Sequence, residues 1–260
     1  MRIVSLEELE RGRQGAERPK AALTIGAFDG VHLGHQRLIR AVVDNRADAL
    51  PVVCTFRQNP GSVLGTRRLP GSVLSFRQKL ARLEGLGVEE VVLIDFSPEI
   101  SKLTGKRFIE LLERYLAIRK LVVGYNFHMG RNRDTGVEQL RRMLRKSDTE
   151  LVVVPATFHD GRAVSSSRIR DTIRDGDFSE VRAMMGGPFC LDLRDVEIEV
   201  RGSRAAIKRE SLGQILPRPG EYPVVFRTQP AEHSATVDVA ADTVSWTRVW
   251  QDHELEICFA

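Results

Sequence analysis

The sequence predicts an α/β protein in which helices cover both faces of a parallel β-sheet, followed by a small antiparallel β domain. Two patterns lead to this prediction. Between residues 21 and 186, short apolar runs alternate with amphipathic stretches, as expected for successive βαβ units. After residue 187, apolar and polar residues alternate with a period of two, which is typical of half-buried antiparallel strands. We therefore expect one domain over residues 1–186 and a second over residues 187–260.

Five strands and four helices are predicted in the first domain. Each strand is a run rich in Val, Ile or Leu that is bounded by turn residues. The predicted strands are 21–27, 51–56, 90–96, 121–124 and 151–154, and the predicted amphipathic helices are 35–48, 75–86, 106–116 and 137–146. In such sheets ligands bind beyond the carboxyl ends of the strands, so we expect the loops after the first, second and fourth strands to meet there.

The second domain is predicted to be a small β barrel or sandwich. Alternation of apolar and polar residues begins at 191–200 and recurs at 222–226, 236–239 and 255–259. Two tryptophans and four histidines show no spacing typical of a catalytic or binding site, and we interpret them as structural. They are Trp246, Trp250, His128, His159, His233 and His253.

Composition narrows the class of protein. The chain has 260 residues, with 39 Lys and Arg against 35 Asp and Glu, so its formal net charge is only +4. This balance does not indicate a uniformly positive nucleic-acid binder, and no nucleic-acid partner is expected. No apolar run reaches the ~18 residues of a membrane span, and residues 1–19 lack the apolar stretch of a signal peptide. We expect a soluble protein with no membrane partner.

Cysteine usage favours a reducing compartment. Cys54, Cys190 and Cys258 are far apart in the sequence and odd in number. They predict neither a disulfide framework nor a zinc site, and we expect no metal held by protein side chains. A cytoplasmic location follows from this interpretation.

The most informative segment, residues 26–35, reads Gly-Ala-Phe-Asp-Gly-Val-His-Leu-Gly-His between a predicted strand and a predicted helix. Its glycines allow tight turns and close approach of the backbone to a ligand. His32 and His35 place two imidazoles at the helix N-terminus, where amide N–H groups and the helix dipole favour phosphate. The segment predicts a nucleoside triphosphate site, with ATP-binding residues at Gly26, Phe28, Asp29, Gly30 and Gly34.

Such a site suits nucleotidyl transfer. A phosphate nucleophile attacks the α-phosphorus of ATP and pyrophosphate leaves, so positioning and charge stabilisation supply most of the acceleration. Each imidazole can donate a hydrogen bond to the negative charge that grows in the transition state. Loss of a preorganised donor of this kind costs about 10²- to 10³-fold in rate.

A second motif, Ser-Ser-Ser-Arg-Ile-Arg at residues 165–170, combines possible helix-capping serines with the start of an amphipathic helix. Its hydroxyls, amides and guanidinium groups could meet a triphosphate. The alternative interpretation is a well-capped helix with no ligand.

Two further loops leave the predicted ligand edge of the sheet. Residues 124–131 carry Asn126, which offers a donor and an acceptor, and residues 55–60 carry an aromatic ring and amide groups suited to a planar ligand with a polar rim. Each loop on its own is equally consistent with an ordinary surface turn.

Taken together, these motifs resemble, in the same order, those of the bacterial FAD synthetase family, the riboflavin kinase/FMN adenylyltransferases, over roughly residues 20–187. The resemblance implies a Rossmann-like nucleotidyltransferase fold and transfer of AMP from ATP to FMN, giving FAD and pyrophosphate. ATP and FMN would be the small-molecule substrates, and Mg²⁺ would accompany the triphosphate.

Site residues carried over from the family fall into three groups. The catalytic residues would be His32, His35, Asn126 and Arg170. The second motif would add Ser165, Ser166, Ser167 and Arg168 to the ATP-binding residues. The flavin-binding residues would be Phe56, Asn59, Pro60, Tyr125 and Phe127.

The chain departs from the family pattern in two places. Where the family usually shows Pro-His-Pro after the second strand, this chain has Gln58, Asn59 and Pro60. The kinase module of the family bears Gly-Phe-Pro-Thr-Ala-Asn, whereas none of the 11 prolines here is followed by Thr. We therefore expect residues 187–260 to form a degenerate riboflavin kinase module without kinase activity.

Two other functions remain open from the sequence. One is a nucleotidyltransferase of the same fold with a different phosphate acceptor, such as a pantetheine or pyridine nucleotide, because His-x-Gly-His is shared by such enzymes. The other is a non-catalytic flavin-binding or nucleotide-binding regulator, which the altered loop at Asn59 and the missing kinase motif would suit.

Overall fold

The computed structural model describes residues 1–12, 17–44, 46–57, 71–95, 97–229 and 231–260. They form two compact units. The first unit comprises the described residues within Met1–Phe28, Gly34–Arg68 and Leu80–Thr157, and the second those within Asp29–Leu33, Leu69–Lys79 and Phe158–Ala260. These compact units differ from the two predicted domains, because residues 158–186 belong to the second unit. The boundary between residues 186 and 187 therefore stays a prediction about functional modules.

A six-stranded parallel sheet forms the centre of the first unit, with strand order β1-β4-β3-β2-β5-β8. A separate two-stranded antiparallel ribbon, β6-β7, follows β5. The strands are β1 (Arg2–Ser5), β2 (Lys20–Ile25), β3 (Leu50–Phe56), β4 (Glu90–Ile94), β5 (Ala117–Gly124), β6 (His128–Met129), β7 (Thr135–Gly136) and β8 (Glu150–Val154).

Helices pack on both faces of this sheet. Ile25 of β2 belongs to a core cluster with Leu112 and Leu140 of two helices on one face, whereas Ala22 of β2 packs with Val42 of a third helix on the other. The alternation along β2 reflects the period of two of a strand. The helices as far as residue 144 are α1 (Leu6–Arg11), α2 (Leu33–Val43), α3 (Phe76–Gly85), α4 (Pro98–Lys102), α5 (Gly105–Tyr115) and α6 (Val137–Leu144), of which Leu33 and residues 76–79 belong to the second unit.

The predicted α/β class is confirmed, and the five predicted strands correspond to β2, β3, β4, β5 and β8. Strand β5 begins at Ala117, four residues before the prediction, because exposed Arg119 interrupts its apolar pattern. Strand β1 was not predicted, since Val4 is the only buried residue of its four. The last residue of the predicted strand 90–96 lies outside the described residues.

The second unit contains a seven-stranded antiparallel sheet of order β11-β17-β14-β15-β16-β13-β12, and a β9-β10 hairpin. This confirms the predicted antiparallel β domain. The strands are β9 (Phe158–His159), β10 (Arg162–Ala163), β11 (Cys190–Asp192), β12 (Glu199–Arg201), β13 (Arg204–Lys208), β14 (Gly220–Thr228), β15 (Glu232–Val239), β16 (Thr243–Thr247) and β17 (Glu254–Phe259).

Two helices, α7 (Ser166–Asp175) and α8 (Phe178–Met185), complete the second unit. Phe178 of α8 stacks on Phe259 of β17 with ring centroids 4.4 Å apart, and it meets Tyr222 of β14 edge to face at 5.7 Å. These aromatic contacts bury large apolar surfaces. They fix α8, and with it the end of α7, against the β-sheet of the same unit.

The prediction that the cysteines form no disulfide is wrong. Cys190 and Cys258 are bonded to each other, and Cys54 is a buried free thiol. The two partners are 68 residues apart in sequence, but the antiparallel register of β11 and β17 places Cys190 directly opposite Cys258. Since the cysteine argument fails, the cytoplasmic location stays a prediction without this support.

Reduction of the disulfide is expected to destabilise the second unit. A cross-link that closes a loop of 68 residues removes chain entropy from the unfolded state worth about 4 kcal/mol in the loop-entropy model. Urea unfolding with and without a thiol reductant measures the difference, and the Cys190→Ser/Cys258→Ser double variant, which should be insensitive to reductant, is the control. Alkylation of all three cysteines in denatured, unreduced protein would contradict the assignment.

Among the described residues, no helix is both long enough and apolar enough to cross a membrane.

Candidate functional site

Three predicted site loops leave one edge of the parallel sheet in the first unit. Strands β3, β2 and β5 are neighbours, and all three run in the same direction. Their carboxyl ends therefore carry the loops that begin at Gly26, Arg57 and Tyr125 side by side. The N–H of Gly26 donates to the carbonyl of Cys54 at 3.0 Å, and the Thr55 hydroxyl donates to the Ala27 carbonyl at 3.2 Å. These bonds join the ends of β2 and β3, as the sequence predicted.

Phe28 and His35 form one local contact in the first unit. Phe28 is 1% exposed, and its ring centroid lies 5.2 Å from that of His35 in an edge-to-face arrangement. Phe28 has a φ of 49°, a conformation that non-glycine residues rarely adopt. A side chain at Gly26 would press on this ring at 3.2 Å. Gly26 and Phe28 thus shape the turn that leads to His35, which lies with Gly34 in the first turn of α2.

The loop after β5 exposes its polar residues. Tyr125 is 53% exposed and donates its backbone N–H to the Val154 carbonyl at 3.0 Å. Asn126 is exposed, and its backbone carbonyl lies 2.9 Å from Nδ1 of His128. Phe127, by contrast, is partly buried and packs against the hydrophobic core of the first unit. Of these three residues, Tyr125 and Asn126 present accessible side chains.

The predicted flavin loop after β3 is described only in part. Phe56 ends β3, is partly buried and packs against the same hydrophobic core as Phe127. Asn59 and Pro60 lie outside the described residues.

In the second unit, Asp29 is the centre of a buried polar cluster. Its side chain is 9% exposed, forms a buried ion pair with Arg170, and accepts the N–H of Val73 at 2.8 Å. Its backbone carbonyl accepts the hydroxyl of Ser166 at 2.8 Å. Nε of Arg170 donates to the carbonyl of Gly71 at 3.3 Å. Asp29 is thus held through both its carboxylate and its backbone.

This cluster stabilises an unusual turn. Gly30 has a φ of 88° and Val31 a φ of 39°. Positive φ is strongly disfavoured for a β-branched residue and persists only where the surroundings enforce it. Val31 is fully buried, and a side chain at Gly30 would meet Val73 at 3.3 Å. The bonds to Asp29 therefore hold a strained turn immediately before His32.

His32 is buried, at 6% exposure, directly before the first residue of α2. Because burial disfavours the charged imidazolium, the pKa of His32 falls from 6.5 to about 4. Near neutral pH the ring is therefore uncharged. A neutral imidazole has one N–H donor and one acceptor nitrogen, so it can still donate a hydrogen bond to an anion.

The lowered pKa makes stability depend on pH. Between pH 6.5 and pH 4 the unfolded chain protonates His32 while the folded chain does not, so acidification favours unfolding. The free energy of unfolding is expected to lose about 3 kcal/mol across that window through this residue. Urea unfolding at several pH values measures it. The His32→Asn variant lacks the titrating group, and an identical pH slope in both proteins would contradict the assignment.

The motif at residues 165–170 caps and anchors α7. Ser165 is the N-cap and accepts the N–H of Arg168 at 3.2 Å, while Ser167 is exposed. Nη1 of Arg168 donates to the carbonyls of His159 and Arg162, both at 2.9 Å, and its Nη2 pairs with Glu180. Ser166 and Arg170 contact Asp29 as described above. The second motif therefore meets the first motif within this unit.

Lys79 is a residue that the sequence argument missed. Its side chain is buried, at 8% exposure for the residue, and burial lowers its pKa to about 8 although the nearby charge of Asp29 opposes that shift. With Arg170 and Asp29 it gives two cations and one anion, a positive balance that favours an anionic ligand. Lys79 falls on the same face of α3 as the apolar residues Phe76 and Leu83. A lysine on an apolar helix face was the sequence feature that could have indicated a buried cation.

The chain is similar in sequence to proteins of one known family. A family model described as FAD synthetase matches residues 14–168. The bifunctional riboflavin kinase/FMN adenylyltransferase of Escherichia coli is 28% identical over 215 residues, covering 80% of this chain and 69% of that protein. The FAD synthetase of Listeria monocytogenes is 29% identical over 173 residues, covering 66% of this chain and 70% of that protein.

A solved structure shares the fold across the chain. A crystal structure titled macrolide-efflux protein, from Streptococcus pneumoniae, superposes with a TM-score of 0.80 at 25% identity, covering 100% of this chain and 98% of that one. The family match spans more than half of the 260 residues and includes the turn at 26–35 and the start of α7. The chain therefore belongs to the FAD synthetase family.

Proposed function

We propose that this chain transfers AMP from ATP to FMN, giving FAD and pyrophosphate. An oxygen of the FMN phosphate attacks the α-phosphorus of ATP, and the bond from that phosphorus to the bridging oxygen of pyrophosphate breaks. The observation that carries the proposal is the buried, uncharged His32 in a turn held by Asp29 and Arg170, within a chain of the FAD synthetase family. The family relatives named above support the choice of FMN as acceptor.

His32 and His35 donate hydrogen bonds to phosphate oxygens in this proposal. Because His32 is buried and uncharged near neutral pH, its N–H is shielded from water before ATP arrives. A preorganised donor of this kind stabilises the charge that grows on the phosphates in the transition state. The amides of Gly34 and His35, in the first turn of α2, add the favourable end of the helix dipole.

Arg170 acts through Asp29. Its Nη2 and Nε are engaged by Asp29 and Gly71, so its first contribution is to fix the turn before His32. Arg168 is likewise engaged by two backbone carbonyls and Glu180, which supports a role in anchoring α7. Ser167 and the first amides of α7 remain suited to phosphate, because Ser167 is exposed at the N-terminal end of the helix.

The flavin side of the proposal rests on Tyr125 and Asn126. Tyr125 offers an exposed aromatic face, and the Asn126 amide can donate to a phosphate or a ring oxygen. Phe56 and Phe127 border this region from the core.

Mg²⁺ is proposed to enter with ATP. Within the part of the chain that the structure describes, the one cluster of three metal-ligating side chains includes the disulfide-bonded Cys190 and Cys258. Since Mg²⁺ commonly binds through substrate phosphates and retained waters with few protein carboxylates, the residues present fit an ion carried by the nucleotide. When bound, the ion neutralises phosphate charge.

The β domain is proposed to lack riboflavin kinase activity. No proline of this chain is followed by the threonine of the family's kinase motif. We retain residues 1–186 as the adenylyltransferase module and 187–260 as the degenerate kinase module.

One assay tests both statements. Purified protein is incubated with ATP and Mg²⁺ and either FMN or riboflavin, and the flavins are separated by chromatography. FAD is expected from FMN, and no FMN is expected from riboflavin. Absence of FAD with ATP still bound would favour the regulator, and AMP transfer to a pantetheine or pyridine nucleotide, but not to FMN, would favour the other acceptor class. FMN formed from riboflavin would overturn the loss of kinase activity.

A further inference from the structure

The β domain reaches the Asp29 cluster through residues 71–75, here called the bridging segment. On one side this segment contacts the cluster: the Gly71 carbonyl accepts Nε of Arg170 at 3.3 Å, and the Val73 N–H donates to Asp29 at 2.8 Å. These two backbone groups leave little freedom for the Asp29–Arg170 pair. The position of the pair therefore depends on where the bridging segment is held.

On its other side the bridging segment pairs with residues 213–215. Ser72 donates its N–H to the Gly213 carbonyl at 3.0 Å and accepts the N–H of Ile215 at 2.9 Å, which makes a parallel bridge opposite Gln214. Gly71 has a φ of 122°, and a side chain there would lie 2.5 Å from the Ile215 nitrogen. Backbone therefore packs directly on backbone, which only glycine permits at this position.

The Gln214 side chain secures this contact. It is 6% exposed, and its amide nitrogen lies 3.2 Å from the Val73 carbonyl and 2.9 Å from the Cys190 carbonyl. Its amide oxygen accepts the N–H of Asp192 at 2.7 Å. One side chain thus joins the bridging segment to strand β11. Buried, satisfied networks of this kind rigidify a site, whereas loss of one member leaves unpaired groups that cost free energy.

We infer that Gln214 is a positioning residue for adenylyl transfer: it fixes Val73, Val73 fixes Asp29, and Asp29 fixes the turn that presents His32. This inference rests on the proposed function, and it assigns the β domain a part in the reaction. Gln214 lies outside residues 14–168 that match the family model, and no motif marks it. A displacement of about 1 Å at a reacting group costs up to about 10²-fold in rate.

The test compares Gln214→Met, which keeps the size and removes the amide, with Gln214→Asn and with the exposed Gln251→Ala as the matched control. In the full chain, Gln214→Met is expected to lower kcat for FAD formation by about 10-fold or more with a smaller change in KM for FMN. In an Asp29→Asn background, Gln214→Met is expected to lower kcat little further, because both substitutions break the same chain of contacts from Gln214 through Val73 to Asp29. Gln214→Asn should recover part of the rate, and Gln251→Ala should match the unmodified chain.

Hydrogen exchange gives a readout that needs no activity. The Val73 amide is expected to exchange at least 10-fold faster in Gln214→Met than in the unmodified protein, with an unchanged urea midpoint for the first unit. If the unmodified chain forms no FAD, the proposed function fails. Hydrogen exchange at Val73 then still tests whether Gln214 holds the bridging segment in place. A folded Gln214→Met protein with unchanged kcat and unchanged exchange at Val73 would overturn the inference. The inference would also be overturned if the fold-losses in kcat of Gln214→Met and Asp29→Asn simply multiplied in the double variant.

Discussion

Replacing His32 by alanine is expected to lower kcat for FAD formation by about 10²- to 10³-fold, the usual loss when a preorganised hydrogen-bond donor is removed. His32 is buried next to a turn with two positive-φ residues, so solvent cannot readily substitute for its N–H. The KM for FMN should change much less than kcat, since the lost interaction strengthens in the transition state. Steady-state kinetics with FMN and ATP measure both.

Two variants sharpen this prediction. His32→Asn keeps an N–H donor of similar reach and is expected to recover part of the lost rate. His253→Ala removes a histidine of the β domain and is expected to leave kcat unchanged. Because the pKa of His32 is about 4, its protonation should not shape the pH profile between pH 6 and 8. A His32→Ala protein with full activity would contradict the assigned role.

Breaking the Asp29–Arg170 pair is expected to lower the stability of the protein strongly. Both side chains are buried, at 9% and 7% exposure, and removing one partner leaves an uncompensated buried charge. Arg170→Ala is therefore expected to lower the free energy of unfolding by about 3 to 5 kcal/mol. It should also lower kcat, because the turn before His32 loses its anchor. Urea unfolding followed by far-UV circular dichroism measures the first effect.

The same helix supplies a matched control. Arg174 of α7 pairs with Asp171, but these side chains are 48% and 61% exposed. Arg174→Ala is expected to change stability by less than about 1 kcal/mol, as for other exposed ion pairs. Equal losses for Arg170→Ala and Arg174→Ala would contradict the view that burial of the Asp29 pair carries the effect.

Local pattern was sufficient to predict the parallel sheet, because buried parallel strands are nearly continuous apolar runs. Strand β3 is buried along five consecutive residues, and it was predicted to within one residue. The prediction failed for β1, where one buried residue, Val4, gives no pattern. The start of α7 was also predictable, since serines that precede an amphipathic run favour an N-cap, and the structure shows that Ser165 is the cap.

Contacts between distant parts of the chain could not be predicted from local pattern. Asp29 and Arg170 are 141 residues apart in the sequence, and they form an ion pair with each other. The sequence alone predicted a site role for each of them and gave no indication of this pairing. The disulfide between Cys190 and Cys258 depends on the register of β11 and β17, which spacing along the chain does not reveal. Gln214 lies in a segment without a motif, and its importance follows only from what it contacts.

The most direct test of the account follows a radiolabel from the α-phosphate of ATP in the presence of FMN. The label is expected in FAD, in equal amount to the unlabelled pyrophosphate released, and His32→Ala should slow its transfer by about 10²- to 10³-fold. Label from the γ-phosphate should appear only in pyrophosphate. Transfer of the γ-label to a flavin, or transfer of the α-label at full rate without His32, would contradict the account.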